Sequence, residues 1–533
     1  MINSQQTSDL IRKDRFASRR DGTILLLVLV VIVLLSLSAY SFTTLMQTER
    51  EAAQLMTRQI QSKYLVDSGV DYTRLLLSYD DLTIREKGGL WDNEEFQNVP
   101  VTLDQENDNS IGRFTIVAPN VDDAGNPEGH RFGLTNESSK LNLNVLPILD
   151  NYPPGGVARQ LLMALPEMTD EIAHAILDWL DEDDDVRDFG AESDFYAGLP
   201  TPYRCKNGPM DSLDELLLVR GVTPELLFGK DINRNGIIDQ VESQSDTLLE
   251  ADMQLGWLNY VTLYSKEDNR NSEGLVRVNI NNPDLERLYD DLGSSFNEHW
   301  RLFVVMGRVN GLMSEDDLED DAEPTSEPPL IDIDFESLEP SSTYNQVLDL
   351  VGTFTTMPDG NGGSIVLASP LQPSPTFGLD LLTAMENMTT FEGAAIPGRI
   401  NIMQASRRIL DAIPGLTEEV VDEIIVKRED DFELLAPEGA DLNRKFETWL
   451  FTEGLVDLTT MRQVTPFICT SGAVYKAEVV GYFDDLVGTS RSEVYLDTTQ
   501  PLPRILFWRD KSHLQAGYDI DVLGRDLIED ETR

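Results

Sequence analysis

Residues 19–42 read RRDGTILLLVLVVIVLLSLSAYSF. Ile24 to Leu35 are unbroken apolar residues, and no charge occurs from Thr23 to Phe42. That is about 20 residues, the length at which an α-helix crosses the hydrocarbon core of a bilayer. Before it stand Arg12, Lys13, Arg15, Arg19 and Arg20 against Asp9, Asp14 and Asp21. This basic excess places the N-terminus in the cytoplasm and the bulk of the chain across the membrane. A cleaved secretory signal fits poorly, because the run is long for one and SLSA at 36–39 is the nearest approach to a cleavage site. Leu45, Leu55, Ile60, Tyr64, Leu65, Gly69, Tyr72 and Leu76 continue a helical stripe. The spacing predicts one helix from Ile24 to Ser78, half in lipid and half outside. An ordinary signal-anchor with a helical stalk is the plainer reading of the same residues.

The other end of the chain changes period. Residues 464–472, 474–485, 491–499 and 503–511 read as strands, with turns at Ser471-Gly472, Asp484-Asp485 and Gly488. Val474, Ala477, Val479 and Tyr482 do not alternate cleanly, so a bulge is expected there. Together with 99–103, 112–118 and 131–135 these segments make an antiparallel sheet. The expected fold is α+β: a long N-terminal transmembrane helix packed on that sheet, interrupted by a large, mainly helical insertion. Trp179, Trp449 and Trp508 are expected in the core.

Composition narrows the function. Of 533 residues, 42 are Lys or Arg and 94 are Asp or Glu, a net charge of -52. Affinity for nucleic acid rests on basic side chains, so nucleic-acid partners are excluded. Hard divalent cations, which take oxygen ligands, suit this chain better. Four His and two Cys leave no basis for a His- or Cys-rich metal site. Cys205 and Cys469 could pair across the membrane, where oxidation is permitted, and spacing leaves that open. No G-x-S-x-G, H-E-x-x-H, P-loop or G-x-G-x-x-G occurs, and no enzymatic activity is expected.

Arg19-Arg20-Asp21-Gly22-Thr23 before the apolar run resembles the leader of type IV prepilins. The resemblance implies cutting by a prepilin peptidase between Gly22 and Thr23, methylation of the new terminus, and retention of the helix. The fifth residue after the cut is Leu27, where pilins carry Glu. That departure is itself a feature of one minor pseudopilin, the K component of type II secretion. The body resembles the same family through Leu141–Asn144 (LNLN), Ile176–Asp181 (ILDWLD), Gly190–Tyr196, Pro202–Pro209 and Ser212–Thr223. The resemblance is good over 12–250 and looser over 395–510. It implies an inner-membrane, single-pass protein with its bulk in the periplasm. Its partners would be the other minor pseudopilins, the pseudopilus and the prepilin peptidase. Its task would be at the pseudopilus tip, supporting export of folded proteins across the outer membrane. A minor pilin of a type IV pilus or DNA-uptake machine is the alternative.

Asp231-Ile-Asn233-Arg-Asn235-Gly236-Ile237-Ile238-Asp239-Gln-Val-Glu242 has the pattern of a twelve-residue EF-hand loop. Oxygen side chains stand at positions 1, 3, 5 and 9, Gly at 6, a backbone carbonyl (Ile237) at 7 and Glu at 12. Ile238 should pack inward, between helices at 212–228 and 244–256. One structural Ca2+ is expected here. A second acidic run follows Trp179, and crowded carboxylates repel unless a cation sits among them. The family resemblance implies a second calcium there, held by Asp181, Asp183, Asp185 and Glu192; a solvated acidic loop is the bland reading.

The remaining boundaries follow from composition. Residues 1–22 form the leader, 23–42 the membrane span, 43–144 the pilin-like helix and first strands, and 145–310 the helical insertion with the cation loop. Residues 311–398 are acidic and Pro/Gly-rich. Within them, 314–329 carry eight acids, three Pro and no base, reading as a solvated, mobile linker, and 357–376 as loop. Residues 399–460 hold a helix-hairpin-helix-like unit around Pro414-Gly415, echoed at 157–180, and 461–533 return to the sheet. LNLNV (141–145), VRVNINNPDLERLYDDL (276–292) and GRINIMQASRRIL (398–410) read as three copies of a strand entering a helix.

Overall fold

The computed structural model describes residues 21–101, 111–150, 155–243, 253–319, 323–329, 333–360, 362–374, 376–433, 444–483, 487–514 and 517–524. The leader, apart from its last two residues, lies outside them, as does most of the helix expected at 244–256.

Helix α1 runs unbroken over Asp21–Leu76. Its apolar stripe divides in two. Leu45, Leu55, Ile60 and Tyr64 are 50–67% exposed, whereas Leu65, Val66, Val70 and Leu76 are buried. Only the last turns therefore pack on the chain's own sheet. They come very close: a Cβ on Gly69 would lie 2.5 Å from Val479 and 3.0 Å from Phe114, and one on Gly481 would lie 2.4 Å from the Ser62 carbonyl. Helix and sheet meet through glycines because only a missing side chain allows that approach.

The sheet comprises β1 (Val99–Val101), β2 (Gly112–Val121), β3 (Pro127–Phe132), β4 (Thr135–Asn136), β5 (Val474–Phe483), β6 (Ser490–Asp497) and β7 (Arg504–Asp510). The order is β1-β2-β5-β6-β7, with β3 on β2 and β4 on β5, and every pairing is antiparallel. β5 carries no register break against its neighbours; the irregularities fall at Tyr495/Leu496 and Asn120/Val121. Its missing alternation has another cause. Val479 and Ala477 face α1 with Val66, Val70 and Phe114, while Val480 and Tyr482 pack on the opposite side with Val117, Tyr518 and Leu523. Both faces of the strand are covered, so apolar side chains fall on either side, and the charged Glu478 beside Val480 and Tyr482 is buried with them. Trp179 and Trp449 are core, but Trp508, on edge strand β7, is 39% exposed.

Between β4 and β5 lies the insertion, with its own core from Leu141 to Ile468. The three copies seen in the sequence are structurally alike. Leu141–Asn142, Val278–Asn279 and Ile400–Asn401 each form a two-residue parallel pair, with Val261–Thr262, Met388–Thr389 and Ile468–Cys469 respectively. In each, the Asn side chain accepts from the amide two residues on: Asn144, Asn281 and Met403, at 2.9–3.0 Å. These Asx turns redirect the chain from strand toward helix.

Other expectations change. The helix expected at 212–228 is a 3-10 segment, Leu213–Leu218, then a turn and a short helix, Pro224–Phe228; Gly221 (φ +86°) separates them. Residues 357–376 are not simply loop, since Phe354–Pro358 pairs with Ser364–Ala368 in a hairpin. In the acidic linker, Thr325 is tethered by backbone bonds to Val366 and Ala368 at 2.9 Å. Helices Arg407–Asp411 and Glu418–Glu433 flank Pro414-Gly415, and Val157–Leu162 and Asp170–Leu180 form the other expected helix pair. Cys205 and Cys469 are both buried and free.

Candidate metal centres

The 231–242 loop is folded around its own side chains. Asp231 Oδ1 accepts from Asn235 N at 2.9 Å and Oδ2 from Gly236 N at 2.7 Å. Asn233 Oδ1 accepts from Asn235 N, and Asn235 Oδ1 from Ile237 N, at 3.0 and 2.8 Å. Gly236 has φ +76°, and a Cβ on it would lie 2.8 Å from Pro119, so the sixth position needs Gly on two counts. Asp239 starts the following short helix by accepting from Val241 N and Glu242 N. Glu242 folds back, with Oε1 on the amides of Ile232 and Asn233 and Oε2 on that of Asp239, at 2.8, 3.1 and 3.2 Å. Ile237, rather than Ile238, packs toward the small core beneath β2 and β5.

Asp231 and Glu242 are 7% and 3% exposed. Among the described residues neither forms an ion pair. Burial, with Glu242's charge adding to it, pushes the Asp231 carboxyl up to about 6. The donor set is all oxygen, with two buried carboxylates, which fits a hard divalent cation. The three loop carboxylates are, however, less tightly gathered than those of the next cluster.

That cluster is Asp178, Asp181 and Glu192, with one oxygen of each within 4.8 Å of the others. Helix Asp170–Leu180 starts on Thr169, which accepts from Ile172 N. It buries Ile172, Ile176, Leu177, Trp179 and Leu180. Asp178 is fully buried on the same helix, three residues before Asp181. Gly190 permits the return of the loop, because a Cβ there would overlap Asp178 Oδ2 at 1.8 Å. Arg187 bridges Asp178 at 2.8 Å and also pairs with Asp181. Three carboxylates and one guanidinium leave two negative charges. Glu192 is 5% exposed, and among the described residues neither of its oxygens accepts a hydrogen bond within normal geometry. Its carboxyl is pushed up to about 7, first by burial and then by Asp178 and Asp181. The neighbouring Cys205 thiol is pushed up to about 12 by burial, and a hard divalent cation prefers the carboxylate oxygens to its sulfur.

Asp183 and Asp185 are not brought to this cluster. Both are exposed, and Asp183 Oδ1 accepts from Asp185 N at 2.8 Å, closing a turn within the loop. Asp178 takes the place the sequence had assigned to them. At the other candidate site, Gly22 and Thr23 lie in the first turn of α1.

This acidic cluster lies inside a stretch, residues 139–228, that matches the family described as type II secretion system (T2SS), protein K. A protein named type II secretion system protein K from Pectobacterium carotovorum subsp. carotovorum is 43% identical over 76 residues, 14% of this chain and 23% of that protein. The chain thus matches about a quarter of that relative's length. The crystal structure of the GspK-GspI-GspJ complex from the enterotoxigenic Escherichia coli type 2 secretion system aligns with 87% of this chain and 98% of its own. That alignment has 11% identity and a TM-score of 0.34. The protein K segment holds Asp178, Asp181 and Glu192 and stops just short of the 231–242 loop.

Proposed function

We propose that this chain is the K-type minor pseudopilin of a type II secretion apparatus. The protein K segment, set as an insertion in a sheet that packs on the end of a bilayer-length helix, carries the reading. Residues 23–42 anchor it in the inner membrane with the N-terminus cytoplasmic and the bulk periplasmic. The exposed stripe Leu45, Leu55, Ile60 and Tyr64 is the surface on which other pseudopilin helices pack. The place is the pseudopilus tip, and the task is support of folded-protein export, with no catalysis by the chain. Leu27 supports the tip position, since a membrane-buried carboxylate needs a partner and this subunit has none to satisfy. The helix pairs at 157–180 and 407–433 act as helix-hairpin-helix-like contacts for protein partners.

Two structural calcium ions complete the periplasmic part. One is held by Asp231, Asn233, Asn235, the Ile237 carbonyl, Asp239 and Glu242, and the other by Asp178, Asp181 and Glu192. Each ion would supply positive charge where buried carboxylates lack it. A loop of the first kind in an extracellular module binds at about 10⁻⁴–10⁻³ M.

Co-expression with a prepilin peptidase tests the family reading. The chain should shorten by its leader, with Thr23 as the new N-terminus by mass spectrometry, and Gly22→Val should block this. Equal mass with and without the peptidase would overturn it.

A further inference from the structure

The outer side of the 231–242 loop is held by the C-terminal part of the chain. Lys511 Nζ donates to the Arg234 carbonyl at 2.8 Å, the Tyr518 hydroxyl lies 2.9 Å from the Asn235 carbonyl, and Arg491 donates to the Asn233 carbonyl. Asn235 donates its side-chain amide to the Gly517 carbonyl. Three consecutive carbonyls of the loop are therefore taken by side chains that arrive from β6, from just after β7, and from the segment beyond it.

Those same three side chains serve one carboxylate in the sheet. Glu478, in β5 and 5% exposed, receives Lys511 Nζ at 2.9 Å, Tyr518 Oη at 3.1 Å and Arg491 Nε at 3.4 Å. Lys511 also reaches Glu493 at 3.0 Å, which Lys476 meets at 3.3 Å. A buried charge network is favourable only when every member is satisfied. Here Lys511, Tyr518 and Arg491 each find a backbone carbonyl in the seated loop, while Arg491 Nε and Nη1 have no hydrogen-bond acceptor among the described residues. The loop in turn gathers Asp231, Asp239 and Glu242 with no cationic side chain pairing Asp231 or Glu242 among the described residues.

We infer that a divalent cation in the 231–242 loop works as a latch: by fixing the Asn233–Asn235 carbonyls it locks the insertion onto the sheet and orders residues 511–514 and 517–524. This rests on the calcium reading of the loop and extends it from local support to the joint between two parts of the molecule.

Hydrogen exchange by mass spectrometry on the full chain in detergent micelles, with CaCl2 or with EGTA, separates the two. Calcium should slow exchange about tenfold both in 231–242 and in 517–524, as closing one or two hydrogen bonds does. The helices at 285–310 should not respond. Tyr518→Phe, which removes one hydroxyl, should keep the loop's response and shrink that of 517–524 to less than about twofold. Protection of the loop alone in the unmodified chain overturns the latch and leaves the calcium reading intact. Protection of neither segment overturns the calcium reading and the latch with it. An undiminished 517–524 response in Tyr518→Phe also overturns the latch, and the unmodified arms decide if that variant does not fold.

Discussion

Glu192 sets up a pH dependence whose sign can be worked out. Its ordinary value is 4.5 and its folded value about 7. Between those values the native state holds a proton that the unfolded chain has released, so stability falls as pH rises from about 4.5 to about 7. In chelator, the melting temperature should fall across that window, and calcium should flatten the fall. Asp231 adds in the same direction, from 3.8 to about 6. Glu192→Gln should therefore remove the upper part of the slope and raise the melting temperature near pH 7.5 in EGTA; a slope unchanged in the variant would assign it elsewhere. The residue that completes this cluster was hard to read from the sequence. Asp178 lies in ILDWLD, between Leu177 and Trp179, both core residues, and looked like part of a helix rather than of a site. The run 181–185 drew attention by density, yet folding selects by geometry. Spacing of three on a helix pairs Asp178 with Asp181, and the turn at Gly190 brings back Glu192, so adjacency in sequence misled for Asp183 and Asp185.

The contact between α1 and the sheet is the element on which the helix-and-sheet part depends. Gly69→Leu and Gly481→Val both place atoms where Val479, Phe114 or the Ser62 backbone already stand. Each should lower stability by about 1–3 kcal/mol, the usual cost of overpacking, measurable by urea unfolding of the full chain in detergent. Gly454, with open space beyond its Cβ, lies away from that contact and has φ +80°; Gly454→Asn should change little. The helix itself was plain in the sequence, because apolar length and period are local properties. The strands were nearly as plain in position. Their burial was not, because β5 is covered on one face by α1 and on the other by Tyr518 and Leu523, segments distant in the chain. The same distance hid the hairpin at 354–368, whose Pro and Gly content reads as loop until its partner strand is known.

For the molecule as a whole, net charge of -52 makes cation supply a global variable. Chelation should lower the melting temperature, and Asp231→Ala with Glu242→Ala should abolish most of that calcium response. With a dissociation constant of about 10⁻⁴ M and 10 mM calcium, the loop alone would contribute about 2.7 kcal/mol. An unchanged melting curve in EGTA would remove calcium from the account of stability. The route of the chain has a separate consequence. The insertion leaves the sheet after Asn136 and returns by Tyr475, and these two residues are partners on adjacent strands; Asn136 even donates to the Gly472 carbonyl at 3.3 Å. Exit and entry thus share one doorway, as the two ends of a hairpin loop do. Strand-to-helix units can be added or lost between them without changing the strand order, provided the 231–242 loop, whose carbonyls take Arg491, Lys511 and Tyr518, stays in place. Replacing 138–472 by a short Asn-Gly turn should keep the strand order, seen as retained β-sheet circular dichroism, but lower the urea midpoint, because Arg491, Lys511 and Tyr518 lose their loop carbonyls.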